Sequence, residues 1–294
     1  MDIKLRALRA FIEVVRQGGF SPAARQVFAT QSAVSKAVRQ LEDELGVVLL
    51  DRGVQPARLT DAGEVVYRRA LALLAEQDDL RAELDELRGL QRGLLRLGLP
   101  PIGSSQLFAP LFARFRSLYP GIEVQLVEHG SKRLEQMLSD GELDLAGLLA
   151  PTSAAFDWQS VREEPMCVLV AESVPLALDG DSVGFAALAA QPFVLFEAGF
   201  ALNPMLVDAA RSAGFEPHVV ARTSQIDFMV ELVAAGLGVG FLPRLMAEPR
   251  RRPGVRVLAL AEPALVWHMA LAWRRGGYLP HAARAWLALA AAAA

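Results

Sequence analysis

The chain has 294 residues, 53% of them hydrophobic, and a formal net charge of −3, so it is long for one domain and neither disordered nor strongly basic. No run of about 18 apolar residues occurs, which excludes an ordinary membrane-spanning helix, and the start MDIKLRALRAF reads as an amphipathic helix, not a signal peptide. The one cysteine, Cys167, cannot form an internal disulfide and points to a reducing compartment, the cytoplasm.

Ser21 to Leu45, SPAARQVFATQSAVSKAVRQLEDEL, reads as two short helices on a tight turn. Ser21 can cap the first, Pro22 suits its first turn, and Ala23 and Ala24 let another helix approach closely. Thr30 can cap the second, in which Val34, Val38, Leu41 and Leu45 recur at the i, i+4, i+7, i+11 spacing of a buried stripe. The other face carries Gln31, Ser32, Ser35, Lys36 and Arg39, hydrogen-bonding and cationic groups near a helix N-terminus. Such a face can read base edges in a major groove while its charges hold phosphates; an amphipathic hairpin with a solvated polar face would show the same pattern. After Gly46, VVLLDRGVQPARLT is apolar, then turn-rich at Gly53 and Pro56, then apolar again, which predicts a two-stranded wing with Arg52 and Arg58 at its ends as phosphate contacts. Residues 1–60 hold nine Lys or Arg against six acids, a balance of +3 on a chain of −3, which fits DNA binding by one end only.

The series LRALRAFIEVVRQGGFSPAARQ, QSAVSKAVRQLEDELGVVLLDR and LTDAGE resembles the winged helix-turn-helix of the LysR-type bacterial transcriptional regulators, with helix, turn, reading helix, wing and linker start in order. Two positions depart from that pattern. LLDR stands where the family usually has an aromatic after the leucine, and Gln55 occupies a wing position that is commonly Arg.

Thr60 opens a long helix running to about Leu87, with Gly89 and Gly93 as stops. Within it Val66, Ala70, Leu73, Gln77, Leu80, Leu84 and Leu87 step by alternating four and three, the seam of a two-helix coiled coil and hence of a homodimer, or else a stripe packed on the chain's own body. Two heads on one dimer would seek an inverted repeat with half-sites about one helical turn apart, or a multiple of that.

The remaining two-thirds alternates strand and helix. LLRLGL, IEVQLV and DLAGLLA are strands separated by helices near 105–118 and 131–140; PMCVLVA, PFVLF, HVVART and GVGFLP follow, with helices near 204–214 and 225–235. VRVLAL and VWHMALAWR return as strands before a helix from about 280 to 291. The fold class expected is therefore α+β multidomain: a DNA-binding head at 1–60, a linker and dimerisation helix at 61–90 and a body at 91–294. The resemblance implies that this body is a two-lobed α/β effector domain like a periplasmic binding protein, with lobe one at 91–162 plus 268–294 and lobe two at 163–267.

The cleft between lobes is indicated by helix starts. Gly103-Ser104-Ser105 and Gly130-Ser131 each follow a strand and open a helix, so N–H groups, helix dipole and hydroxyls converge on a small anion site; plain N-capping by each serine is the alternative. The resemblance implies that Ser104, Ser105 and Ser131 line a ligand cleft, with Phe200, Asn203 and Ser224 on the facing lobe. An enzyme is the competing class, a two-lobed α/β enzyme or solute-binding module acting on a small organic acid. Against it, His129, His218, His268 and His281 show no metal-pair spacing, and no phosphate loop, dinucleotide fingerprint or nucleophile elbow occurs. By resemblance, then, the chain is expected to be a regulator without catalytic or metal residues and without a cofactor. It would bind double-stranded promoter DNA as a dimer or tetramer and meet RNA polymerase if it activates; the serines and helix N-termini, without an obvious arginine clamp, favour a small, singly charged carboxylate as its effector.

Overall fold

The computed structural model describes residues 3–51, 53, 56–87, 93–176, 180–261 and 265–292. Two compact units are present, one made of Met1–Leu90 and Ser139–Glu142, the other of Gln91–Leu138 and Leu143–Ala294.

In the first unit, α1 (Leu5–Arg16), α2 (Phe20–Gln26) and α3 (Gln31–Leu45) pack around Leu8, Phe11, Val14, Val34, Val38 and Leu41, all at most 2% exposed. Ala23 and Ala24 are buried in the contact, which a larger side chain would hold apart. Thr30 caps α3 as its sequence predicts, its Oγ1 accepting from Ala33 N–H at 3.2 Å, and Gly46 ends the helix at φ 68°, the left-handed region that glycine enters without strain. Ser21 does not cap α2. Gly19 stands at that position with no side-chain bond, and Ser21 lies exposed within the first turn, because the chain turns helical two residues earlier than the serine would need.

The wing is the antiparallel pair β1 (Leu50–Asp51) and β2 (Arg58–Leu59), in register Leu50 to Leu59 and Asp51 to Arg58. Glu42 of α3 holds the wing's first strand, its Oε1 accepting from Leu49 N–H at 2.9 Å and Leu50 N–H at 3.3 Å. Thr60 then caps α4 (Asp61–Leu87), accepting from Gly63 N–H at 3.0 Å while donating to the Val48 carbonyl at 2.7 Å. A Cβ on Gly63 would sit 2.0 Å from the Leu49 carbonyl oxygen, so only glycine lets α4 meet the wing.

The expected seam along α4 divides in two. Val66 and Ala70 belong to the head's own core, whereas Leu73, Leu80 and Leu84 stand 51%, 57% and 45% exposed. Gln77, between them, accepts from Arg9 Nη2 at 3.2 Å, and the side chain of Leu87 lies outside the described residues. The outward stripe therefore begins at Leu73, while the adjoining face of α4 stays against the head through Leu71 and Leu74 to the bonds of Gln77 and Asp78 with Arg9.

In the second unit, β3 (Gly93–Leu99), α5 (Ala109–Leu118), β4 (Ile122–Glu128), α6 (Ser131–Ser139) and β5 (Leu145–Leu149) form a parallel β4-β3-β5 layer. Alternation buries Leu95, Leu97 and Leu99 on one face of β3. Arg96, on the other, is fixed by the nearly buried Asp144, with Nε–Oδ1 at 3.1 Å and the Arg96 N–H to Oδ2 at 2.7 Å. β6 (Phe156–Ala171) is one strand serving both lobes, with a first half absent from the sequence expectation. Further on come β7 (Ser182–Val183), β8 (Phe193–Phe196), α7 (Leu202–Ser212), β9 (Val219–Thr223), α8 (Ile226–Ala234), β10 (Gly240–Pro243), α9 (Arg244–Ala247), β11 (Val255–Leu260), β12 (Val266–Arg274) and α10 (His281–Ala291).

β12 pairs antiparallel with β5 on one side and with Phe156 to Pro165 of β6 on the other, while Met166 to Ala171 pair with β10 and β11. The change of partner at Pro165 to Met166 is where β6 leaves lobe one for lobe two. The expected lobe limits at 162/163 and 267/268 fall inside the β6–β12 pairing, because their apolar runs do not coincide with the strand ends. Lobe two is packed by Phe185, Phe193, Phe215 and Phe241, with Phe193 and Phe241 centroids 4.9 Å apart; lobe one by Phe115 against Trp286 at 5.1 Å.

Candidate functional site

Two sites arise from this fold, one on each unit. On the head, burial of Val34, Val38 and Leu41 turns the rest of α3 outward: Gln31, Ser32, Lys36 and Arg39 are exposed and Ser35 is half-buried. Ser32 Oγ lies 3.1 Å from Thr30 Oγ1, so this serine supports the cap and also faces out. The side chains of Gln31, Lys36, Arg39 and the wing's Arg58 make no hydrogen bond or ion pair among the described residues. Gln31 lies in the first turn of α3, at the positive end of its dipole, Lys36 and Arg39 follow along the same helix, and Arg58 is on the wing, a set suited to a polyanion with readable edges. Arg52, the other expected wing contact, lies outside the described residues.

The second site lies where β3, β4 and β5 end, facing the turn after β8. Pro100, Ile102, Gly130, Ser131 and Leu149 line it from lobe one, Phe200, Ala201 and Leu202 from lobe two, and Trp267 and Met269 from β12. The enclosed space is about 20 Å³, enough for about one water. The lobes meet beside it, where a Cβ on Gly130 would lie 2.8 Å from the Gly199 carbonyl oxygen; within lobe one, a Cβ on Gly103 would lie 2.6 Å from the Trp267 ring. Any larger occupant therefore requires the lobes to part.

Of the six residues expected to bind an effector, Ser131 and Phe200 line this cavity. Ser131 is only 7% exposed, begins α6, and its hydroxyl has no hydrogen-bond partner among the described residues. Phe200 is held by stacking on Phe196 with centroids 5.1 Å apart. The remaining four fall elsewhere. Ser104 donates its hydroxyl to the Pro100 carbonyl, a local turn bond, and Ser105 is exposed and donates to Gln106 Oε1 at 2.7 Å. Asn203 is buried, with its amide spent on the end of β8: Nδ2 donates to the Phe196 and Glu197 carbonyls, each at 2.8 Å, and Oδ1 accepts from Phe196 N–H at 3.2 Å. Ser224 is exposed and outside the lining.

Sequence reasoning missed the floor. Trp267 and Met269 are two apart in VWHMALAWR, and strand alternation alone puts them on one face; nothing local says that this face meets the ends of β3 and β5. One turn beyond Ser131, burial pushes the Glu135 carboxyl above the usual carboxylate range, with Lys132 pulling it the other way. Cys167 sits in β6, 3% exposed, and burial pushes its thiol up.

Residues 5–64 match the model of the bacterial regulatory helix-turn-helix proteins of the lysR family, and residues 88–294 match the LysR substrate binding domain. The chain belongs to the LysR family. It is 35% identical over 288 residues to the uncharacterized HTH-type transcriptional regulator YwbI of Bacillus subtilis, covering 98% of this chain and 95% of YwbI. Among solved structures, full-length OxyR from Pseudomonas aeruginosa matches with a TM-score of 0.77 at 25% identity over 98% of this chain and 97% of that one. Full-length CbnR, solved in complex with its target DNA, matches with a TM-score of 0.65 at 21% identity, over 99% of this chain and all of that one, which speaks for the fold. This LysR-family chain is thus a DNA-binding transcriptional regulator carrying an effector-binding domain, not an enzyme. No helix among the described residues is long and apolar enough to cross a membrane.

Proposed function

We propose that this regulator changes its promoter contacts when a small carboxylate enters the cleft between its lobes. The observation that carries the reading is Ser131, a residue only 7% exposed that lines the cavity at the start of α6, beside a helix N-terminus suited to one negative charge. Closing on the ligand favours one lobe arrangement, and that preference is linked to the spacing of the heads.

In the same reading the head is residues 1–60, the linker 61–90 and the effector domain 91–294. Gln31, Ser32, Ser35, Lys36 and Arg39 face bases, and Arg52 and Arg58 hold phosphates. The protein acts in the cytoplasm as a homodimer through the outward stripe of α4, pairs again into a tetramer, needs no cofactor besides its effector, and contacts RNA polymerase where it activates. Likeness to OxyR brings no thiol chemistry with it, because the sole cysteine is the buried Cys167.

Footprinting the purified protein on its own upstream DNA across a panel of carboxylic acids tests the reading. A footprint that lengthens, shortens or shifts with one acid is the expected result. A footprint indifferent to every acid, with no acid bound in calorimetry, sinks it.

A further inference from the structure

We infer that Phe28, in the turn between α2 and α3, is a DNA-contacting residue that adds an apolar, salt-insensitive contact beside the bases read by α3, on a thymine methyl or on deoxyribose carbon. The inference rests on the reading of α3 as the DNA-facing helix and concerns a side chain which that reading leaves unused.

Phe28 is 98% exposed and has φ 52°, and among the described residues it is the one non-glycine residue with a positive φ. The turn accounts for the conformation but not for the residue. Ala29 N–H donates to the Ala24 carbonyl at 2.9 Å and Phe28 N–H to the Arg25 carbonyl at 3.3 Å, the paired bonds that close a helix through one left-handed residue. Glycine takes that place freely, whereas a bulky side chain takes it at a cost. No packing inside the head offsets the cost. Val27 and Ala29, on either side, pack on the head core, while Phe28 stands outside that core and makes no ring contact among the described residues. A lone exposed apolar residue is ordinary on a protein surface; one held outward in a strained conformation by two anchored neighbours points to a use outside the head.

The place of the ring says what it meets. Thr30 caps α3 two residues later and Gln31 begins the helix. In helix-turn-helix docking the second helix lies in the major groove with its N-terminal residues on base edges, and the first crosses the backbone. The turn that joins them therefore runs along the groove wall, next to sugars and the outermost bases. The apolar groups that DNA offers there are thymine 5-methyls and deoxyribose carbons, and phenylalanine is among the side chains that pack on the methyl. Such a contact releases water and no counterions, unlike a cation on phosphate.

Shift assays of the full-length protein on its own upstream DNA, across salt concentrations, test the inference. Phe28→Gly should raise the melting temperature, because glycine relieves the left-handed φ, yet lower DNA affinity about tenfold with the slope of log affinity against log salt unchanged. Phe28→Leu keeps apolar surface and should recover most of that affinity. Replacing thymines of the protected half-sites by deoxyuridine removes the methyl alone and names the surface. A loss at one thymine that the wild type shows and Phe28→Gly does not assigns the methyl; an equal response of the two proteins, with the affinity loss of Phe28→Gly intact, assigns deoxyribose. Full affinity in Phe28→Gly, a flattened salt slope, or a loss that tracks a lower melting temperature or a lost dimer in sedimentation overturns the inference. A variant with Gln31, Lys36 and Arg39 replaced by alanine, run alongside, keeps two failures apart. If it loses DNA binding while Phe28→Gly does not, only the role of Phe28 falls; if it binds normally, the reading of α3 falls and this inference with it.

Discussion

The reading head and the cleft differ in how their working surfaces are made. In the head, one helix holds the functional face: three buried positions of α3 dictate which side points out, and the exposed residues lie within nine positions of one another. The cleft is assembled from five chain segments more than 160 residues apart at their extremes, brought together by strand pairing, β3 with β4 and β5, and β12 with β5. A surface set by helical periodicity can be tested by stripping its side chains, whereas a surface set by topology yields to changes in closure and lining.

The largest effect should come from the head. Replacing Gln31, Lys36 and Arg39 together by alanine leaves the buried stripe of α3 intact and removes two cations and one exposed amide. Specific DNA affinity should fall by roughly 100-fold or more, and the slope of log affinity against log salt should shrink by about 2, as measured by shift assays across salt concentrations. Ser131→Ala, in the same assay without effector, should leave both quantities unchanged. Equal losses for the two variants would erase the distinction between the sites.

Next comes the linker helix, where one heptad pattern serves two purposes. Leu73→Asp with Leu80→Asp places like charges on an exposed stripe, so the monomer should fold normally while dimer stability drops by several kcal/mol through burial of unpaired charge. Ala70→Asp, at a position 1% exposed inside the head core, should lower the melting temperature whatever the oligomeric state. Sedimentation paired with thermal melting separates the outcomes. A dimer that survives both leucine substitutions would mean that the stripe is not the interface.

That division of α4 shows where the sequence stops being informative. Spacing identified the helix and its seam, but Val66 and Leu73 look alike in sequence, and only the packing of α4 on the head, which takes in Val66, Ala70, Leu71 and Leu74 and leaves Leu73 out, decides that the first is covered and the second is not. In the body, the strands and helices were legible because each carries its own apolar run. β6 was half-read, since Phe156 to Glu164 alternates polar and apolar residues in a way that a loop also allows. Of the cleft, Ser131 and Phe200 were found, while the lining at Trp267 and Met269 was not, because its position depends on strand order. Ser104 and Asn203 had the right chemistry and the wrong partners, as the backbone nearby already used their hydrogen bonds.

A smaller effect sharpens the same point within the head. Thr30 accepts from Ala33 N–H, so Thr30→Ala should cost about 1 kcal/mol of head stability. Ser21, which has the residue type of a cap but lies inside the first turn of α2, should cost only a few tenths of a kcal/mol when replaced by alanine, offset by alanine's better helix propensity. Denaturant melts of the two variants should differ in midpoint. Equal destabilisation would mean that the chemical type of the residue, and not its place at the helix start, decides its contribution.

The smallest expected effect is none at all. Cys167 lies between β10 and β11 in the middle of lobe two, away from the cavity lining, and at 3% exposure it is shielded from reagents. Desolvation raises its thiol pKa, Arg244 opposing that shift as the next contribution, so below the raised value the group is a neutral thiol and a poor nucleophile. Iodoacetamide should label the native protein far more slowly than the urea-unfolded chain, and hydrogen peroxide at modest excess should leave effector binding and the footprint unchanged. Cys167→Ser would lose some stability from a hydroxyl placed in an apolar core yet keep regulation, which separates a packing role from a sensing one. Rapid labelling of the folded protein, together with a peroxide-dependent footprint that Cys167→Ser abolishes, would place redox chemistry in lobe two and remove the cleft as the sole point where a signal enters.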